Sequence, residues 1–218
     1  MYRKLMALLF PPKCVLCKKI LPDDQTDLCH ECRKNAPAFS KGNFKLSFVA
    51  RWTAVWYYKD NVRSSILRYK FYNARSYAGI YGRFLAMKLQ TARMDDYDVL
   101  TWVPVGFLRR LRRGYDQVEL LAKAVAAESG RQAVPTLKKV RNTPPQSHIR
   151  DAAKRRANVL NAYKVTDAQA IRGKRVLLLD DILTTGATAS ECAKMLMTAG
   201  AQEVTFAAIA VASHDKKK

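Results

Sequence analysis

Three stretches of this chain hold residues whose types and spacing could do chemistry. The first is Val176 to Thr188, VLLLDDILTTGAT. Four apolar residues, Val176 to Leu179, read as a strand buried on both faces. Asp180 and Asp181 follow where a parallel strand would leave its sheet. Next come a small hydroxyl-rich turn, Thr184-Thr185-Gly186-Ala187-Thr188, and helical periodicity from Ala189 to Leu196. A strand, a small-residue loop and a helix N-terminus make an anion site, because free backbone N–H groups point outward and the helix dipole favours negative charge. Two carboxylates beside it suit sugar hydroxyls or a divalent cation. The stretch is expected to take a phosphorylated sugar. No Gly-Lys-Ser/Thr follows the turn, which argues against a P-loop.

The second stretch is Cys14-x-x-Cys17 and Cys29-x-x-Cys32, two knuckles separated by eleven residues. Zinc takes tetrahedral soft ligands, and a two-residue gap lets both sulfurs of a turn face one ion. Met1 to Phe10 has two early cations and a short apolar run, but two prolines follow and no small-residue cleavage site precedes Cys14. It reads as a short amphipathic helix rather than a secretory signal. Without such a signal the thiols stay reduced, which favours metal over a pair of disulfides. The expected group is a structural Zn2+, closed by Cys14, Cys17, Cys29 and Cys32. His30 lies inside the second knuckle and is not needed as a ligand. Cys192, on the helix after the phosphate loop, is expected to be a small buried hydrophobe.

The third candidate is a strand end followed by Val105-Gly106-Phe107-Leu108-Arg109-Arg110-Leu111-Arg112-Arg113-Gly114. Four arginines on such a loop make a positive rim suited to pyrophosphate or a nucleic-acid backbone. They belong to a wider excess. The chain of 218 residues has 39 Lys+Arg against 18 Asp+Glu, a formal charge of +21. Seventeen of those cations, against five acids, lie between Arg109 and Arg175. An excess of this size costs self-repulsion and is the footprint of a polyanion partner, nucleic acid before membrane. No stretch reaches the ~18 apolar residues of a membrane span, and a cytoplasmic protein is expected.

The elements that must position these residues read as follows. Ala36 to Ser47, rich in Pro, Gly, Ser, Lys and Asn, is expected to be a linker, dividing a zinc module (1–47) from a main domain (48–218). Thr53 to Tyr58 is a strand, and Asn61 is a candidate N-cap for the helix after it. That helix ends in Leu67-Arg68-Tyr69-Lys70-Phe71-Tyr72. Two readings stay open for this run: a helix stripe with aromatics inward, or a surface on which bases stack while Arg and Lys hold phosphate. Tyr77 to Leu89 is helical. Val99 to Val103 is expected to be the first strand of the core sheet, and Asp116 to Ala127 a helix. Lys138 to Val140 and Ala162 to Val165 are short strands on either side of an exposed loop, Arg141 to Ser147, and a basic helical turn, Asp151 to Arg156. Val204 to Val211 is the last strand, and Lys216 to Lys218 a frayed tail. The alternation indicates an α/β domain with a mainly parallel sheet, whose ligand belongs at the carboxyl ends of the strands.

DDILTTGAT behind four hydrophobic residues resembles the phosphoribosyl-pyrophosphate (PRPP) motif of type I phosphoribosyltransferases. An ordinary strand-to-helix turn is the plain alternative, but residue type agrees at nearly every step of thirteen. The resemblance implies that Asp180 and Asp181 hold the ribose hydroxyls and that Thr184, Thr185, Gly186, Ala187 and Thr188 wrap the 5′-phosphate. The order V-P-V, R-R-G-Y-D-Q (Arg112 to Gln117), R-N-T-x-x-Q (Arg141 to Gln146), R-A-N-V (Arg156 to Val159) and the PRPP motif, behind four cysteines, is narrower. It resembles the bacterial competence protein F family, from about Cys14 onward. That implies a type I phosphoribosyltransferase-like sheet flanked by helices, with a small N-terminal four-cysteine zinc module. It also implies a pyrophosphate-side loop (Arg109, Arg110, Arg112, Arg113, Gly114), a flexible closing loop (Arg141, Thr143, Gln146) and Mg2+ bound with PRPP. Natural transformation, single-stranded DNA and partners such as a DNA-uptake helicase or recombination factors follow from the same resemblance. Asp116 stands where the family commonly has Asn. An amide could donate to an anion there and a carboxylate cannot, whereas either serves as an N-cap.

Two functions follow. One is a DNA-uptake factor that binds single strands on its basic surface and carries a PRPP-type pocket. The other is a soluble phosphoribosyltransferase of salvage or amidotransfer type, for which the sequence shows no acceptor site.

Overall fold

The computed structural model describes residues 11–40, 45–143 and 152–212. The expected N-terminal helix, the middle of the expected linker, Gln146 with most of its loop, and the lysine tail lie outside them.

The sheet forms around the most apolar strand. β5 (Arg175–Leu183) pairs with β6 (Glu203–Val211) on one side and with β2 (Val99–Trp102) on the other, and β1 (Arg51–Tyr57) flanks β6. The order β1-β6-β5-β2 is parallel throughout. Val99–Trp102 belongs to this sheet as an edge strand but is not its first in chain order, because β1 already pairs with β6. Val176, Leu177, Leu178 and Leu179 are each at most 1% exposed. Leu177 and Leu179 face one core, with α2 (Asp60–Phe71), α3 (Tyr77–Thr91) and α5 (Gln117–Glu128). Val176 and Leu178 face the other, with α7 (Ala187–Thr198). The period-two alternation of a strand produces the two layers. On the first face α3 and α5 touch at Gly82, where a Cβ would lie 2.5 Å from that of Ala124.

Four local expectations change. Phe107–Arg113 is a short helix, α4, rather than open loop, started after Gly106 and stopped by Gly114 in the left-handed region (φ 74°). The N-cap of α2 is Lys59, not Asn61, and makes no side-chain cap bond. The short strands β3 (Leu137–Lys139) and β4 (Tyr163–Val165) pair antiparallel with each other, outside the main sheet. The helical turn near 151–156 extends as α6 (Ala152–Val159).

The cysteine module is packed against the domain. α1 (His30–Asn35) carries Cys32, and Cys14, Val15 and Leu16 share the core of Trp56, Val62 and Ile66. The start of the expected linker is built in too. Phe39 N donates to Val55 O at 2.9 Å, and the Phe39 ring stacks on Trp52 at 5.2 Å. Its aromatics outweigh its loop-like composition.

Candidate functional site

β2 accompanies β5 only as far as Leu179, opposite Trp102, whereas β6 follows β5 to Leu183. The acids are therefore inside the strand, not beyond it, past the point where β2 has ended. This is the crevice outside strand ends where α/β sheets place ligands.

Alternation gives the two acids different surroundings. Asp181 turns inward and is 5% exposed. Its Oδ1 is 2.7 Å from Lys70 Nζ, and its Oδ2 accepts from Gln117 Nε2 at 2.7 Å. Asp180 is half-buried, and its Oδ1 accepts from the Asp181 backbone N–H at 2.7 Å. Burial, and then the Asp181 charge, hold the Asp180 carboxyl well above the usual carboxylate range, against the pull of Lys70. Gln117 Oε1 is buried without a partner among the described residues, so its amide is oriented by Asp181 alone.

Beyond the acids, Gly186 takes φ 77° and starts α7 with no side-chain cap. An uncapped first turn leaves backbone N–H groups for an anion. Thr188, Ala187 and Gly186 belong to that turn, and Thr184 and Thr185 lead into it.

The arginines separate by partner. Arg109 Nη2 donates to Thr143 O at 2.9 Å, and Lys139 Nζ reaches Thr143 Oγ1 at 2.8 Å, so two cations converge on one residue. Neither has a carboxylate in ion-pair distance among the described residues. Burial, and then repulsion from Arg109, bring Lys139 down to about 8. Lys139 is a site residue that the sequence reading passed over as part of a strand. Arg113 lies 4.8 Å above the Phe71 ring, and burial lowers it while Asp181 supports its charge. Arg110 approaches Glu119 at 3.8 Å, and Arg112 is exposed. Arg141 donates to Asn158 O and Leu160 O, at 3.0 and 2.8 Å, and so closes the end of α6.

Asp116 is the N-cap of α5. Its Oδ1 accepts from Val118 N and Glu119 N, and its Oδ2 accepts from Val105 N at 3.0 Å. All three are donors, so a carboxylate serves where an amide would set its own N–H2 against one of them. Burial raises Asp116, and these backbone N–H groups oppose the rise.

The run Arg68 to Tyr72 divides cleanly. Arg68 Nη2 donates to Val15 O and Leu16 O, at 3.0 and 2.6 Å. Tyr69 OH donates to Gln117 O at 2.5 Å, and Lys70 takes Asp181. Phe71 and Tyr72 remain outside, 60% and 75% exposed, as do Phe107, Leu108 and Leu111 on α4.

At the other end, the sulfurs of Cys14, Cys17, Cys29 and Cys32 lie within 4.8 Å of one another, with Cys17 and Cys29 at 3.6 Å. Four convergent thiols fit Zn2+, which those four residues would hold and which would serve as a structural cross-link. Cys192 is fully buried in α7, as expected of a small hydrophobe.

This combination of parallel sheet, paired acids and uncapped helix has known relatives. The chain belongs to the phosphoribosyl transferase domain family, whose model matches residues 103–218, and residues 5–43 match the double zinc ribbon domain. Within that family it is of the competence protein F type. It is 26% identical to competence protein F of Haemophilus influenzae over 218 aligned residues, covering 88% of this chain and 93% of that one. It is 26% identical to competence protein ComFC of Streptococcus pneumoniae, covering 90% of this chain and 99% of the relative. With the DNA utilization protein YhgH of Salmonella typhi it shares 31% identity over 62% of this chain and 60% of that protein. A glutamine PRPP amidotransferase from B. subtilis aligns at 23% identity and TM-score 0.44, over 64% of this chain and 30% of that one. Among the described residues, no helix is long and apolar enough to cross a membrane.

Proposed function

We propose that this protein serves DNA uptake, binding single-stranded DNA on a basic, aromatic face and holding a PRPP-type ligand at the end of β5. The observation that carries the reading is the junction of α2 and α4. Arg113 of α4 lies 4.8 Å above the exposed Phe71 ring at the end of α2 and feels the Asp181 charge. Exposed Tyr72 follows Phe71 in the chain, and α4 itself carries exposed Phe107 with Arg109, Arg110 and Arg112. Aromatic faces stack any base, and arginines follow the phosphates, which gives sequence-tolerant binding. The names of the relatives, concerned with competence and DNA utilization, support the same reading.

In the pocket, the first turn of α7 would receive the 5′-phosphate, and Asp180 the sugar hydroxyls. Arg109 and Lys139 would face the pyrophosphate. Mg2+ would arrive with the ligand on its own oxygens.

Filter binding with a short labelled oligonucleotide tests the DNA half. Affinity is expected to fall steeply between low and moderate salt, as several phosphate contacts require. Tyr72→Ala and Phe71→Ala should each cost about 1–3 kcal/mol, the worth of one stacked base. Binding that ignores salt, or survives loss of both aromatics, would refute this face.

A further inference from the structure

The last turn of α2 makes three consecutive anchors, and the last of them reaches the acid pair. Arg68 holds the carbonyls of Val15 and Leu16 in the first cysteine knuckle, and Ser65 bonds Val15 O as well. Tyr69 holds the backbone of Gln117. Lys70 and the Gln117 side chain then grip the two oxygens of Asp181, one each. An ion pair this far from water is stable only when both charges are met, and breaking it leaves a buried charge alone. Here the side chains of Lys70 and Asp181 are only 17% and 7% exposed. Asp181 has no open face to offer a sugar. What it does offer is its backbone N–H, which fixes Asp180.

We infer that Lys70 is a positioning residue for the sugar-phosphate pocket: with Gln117 it holds Asp181 as an internal support, and Asp180 alone reads the sugar. The two acids are adjacent in sequence and divided in labour. The support is delivered from α2, an element outside residues 103–218 and seated on the cysteine module. The inference rests on the pocket proposed above and assigns its parts.

Calorimetric titration of the full-length, zinc-loaded protein tests it, with ribose 5-phosphate, 2-deoxyribose 5-phosphate and inorganic phosphate as probes. Wild-type protein that binds neither ribose 5-phosphate nor phosphate would remove the pocket and this inference together. If it binds them, Asp180→Asn is expected to lose about tenfold for ribose 5-phosphate, the scale of one hydrogen bond. Asp181→Asn should lose markedly less, because its amide oxygen still accepts from Lys70 and its N–H2 can donate to Gln117 Oε1 once that amide turns over. Inorganic phosphate should bind both variants as it binds wild type. Lys70→Met should also lose about tenfold for ribose 5-phosphate and spare inorganic phosphate, with most of the loss restored in Lys70→Arg. Equal losses in Asp180→Asn and Asp181→Asn would mean that both acids touch the sugar, and would overturn the assignment. So would wild-type affinity in Lys70→Met, or loss of phosphate binding in step with the sugar. Should Lys70→Met fail to fold, the comparison of the two Asp→Asn variants decides.

Discussion

At the scale of single residues, this site is governed by how charges are met after burial. Lys139 and Arg109 share Thr143 and have no carboxylate partner among the described residues, so an incoming polyanion would be their first full counter-charge. Lys139 is lowered to about 8, so its uncharged fraction grows as pH rises through that value. A bound anion favours the protonated form, and its affinity must therefore fall over the same window. Pyrophosphate binding should weaken between about pH 7 and pH 9.5 in the wild type by more than in Lys139→Arg, which stays charged throughout. Parallel pH curves for the two proteins would show that Lys139 does not meet the anion. Asp116 makes the same point about charge in another setting. Both its oxygens accept backbone donors, so Asp116→Asn would orphan the Val105 N–H at a cost of about 1–3 kcal/mol. Asp116→Ala would lose the cap as well, about 1 kcal/mol more. Urea unfolding checks both, and an Asn variant as stable as wild type would show that the Val105 tether carries no weight.

At the scale of elements, α2 joins what the sequence presents as separate parts. Its middle turns take Val62, Ile66 and Tyr69 into the core, and its last turn binds the knuckle and the acids. Arg68→Ala removes a donor to two carbonyls of the first knuckle, leaving Val15 O to Ser65 and Leu16 O without that partner. The variant should hold zinc less tightly, seen as faster metal transfer to a chelating dye. An unchanged transfer rate would mean that the knuckle stands without α2. The arginine helix α4 is a second case. Its residues look like a loop because four of the seven are arginine, yet Gly106 and Gly114 bracket them as a helix and leave three large apolar side chains in water. Exposed apolar groups among cations are what a nucleic-acid face needs and what a simple phosphate loop does not.

For the whole molecule, the packing of the cysteine module sets how the chain should unfold. Val15 and Leu16 are buried against α2, and full burial of such side chains is worth about 1.5–3 kcal/mol each as an upper figure. Zinc affinity then feeds into the stability of the sheet domain as well as the module. Chelation is expected to lower the melting temperature of the entire chain in one cooperative transition. Two separate transitions, with the sheet domain unmoved, would show that the parts are energetically independent. The charge of +21 acts at the same scale. Arg109, Arg113 and Lys139 bring part of it to the acids, while Arg131 and Arg175 stand at the other end of β5. The net field therefore draws a polyanion to the molecule, and the local cations hold it near the pocket.

The sequence by itself determined the parts that depend on neighbours in the chain. The buried strand before Asp180, the glycine that starts α7, the two cysteine knuckles and the cap at Asp116 all follow from local spacing, because turns and caps are made within a few residues. The excess of charge was equally legible, since it needs only counting. Only the tertiary structure decided which acid is open. Asp180 and Asp181 are the same residue type side by side, and their difference comes from Lys70, more than a hundred residues earlier, and from Gln117. It also separated Arg68, Tyr69 and Lys70, turned inward, from Phe71 and Tyr72, left outside, in a run whose composition is uniform. Long-range burial sets those assignments, because the cost of an unmet charge depends on what packs around it, and no local pattern records which distant helix will supply the partner.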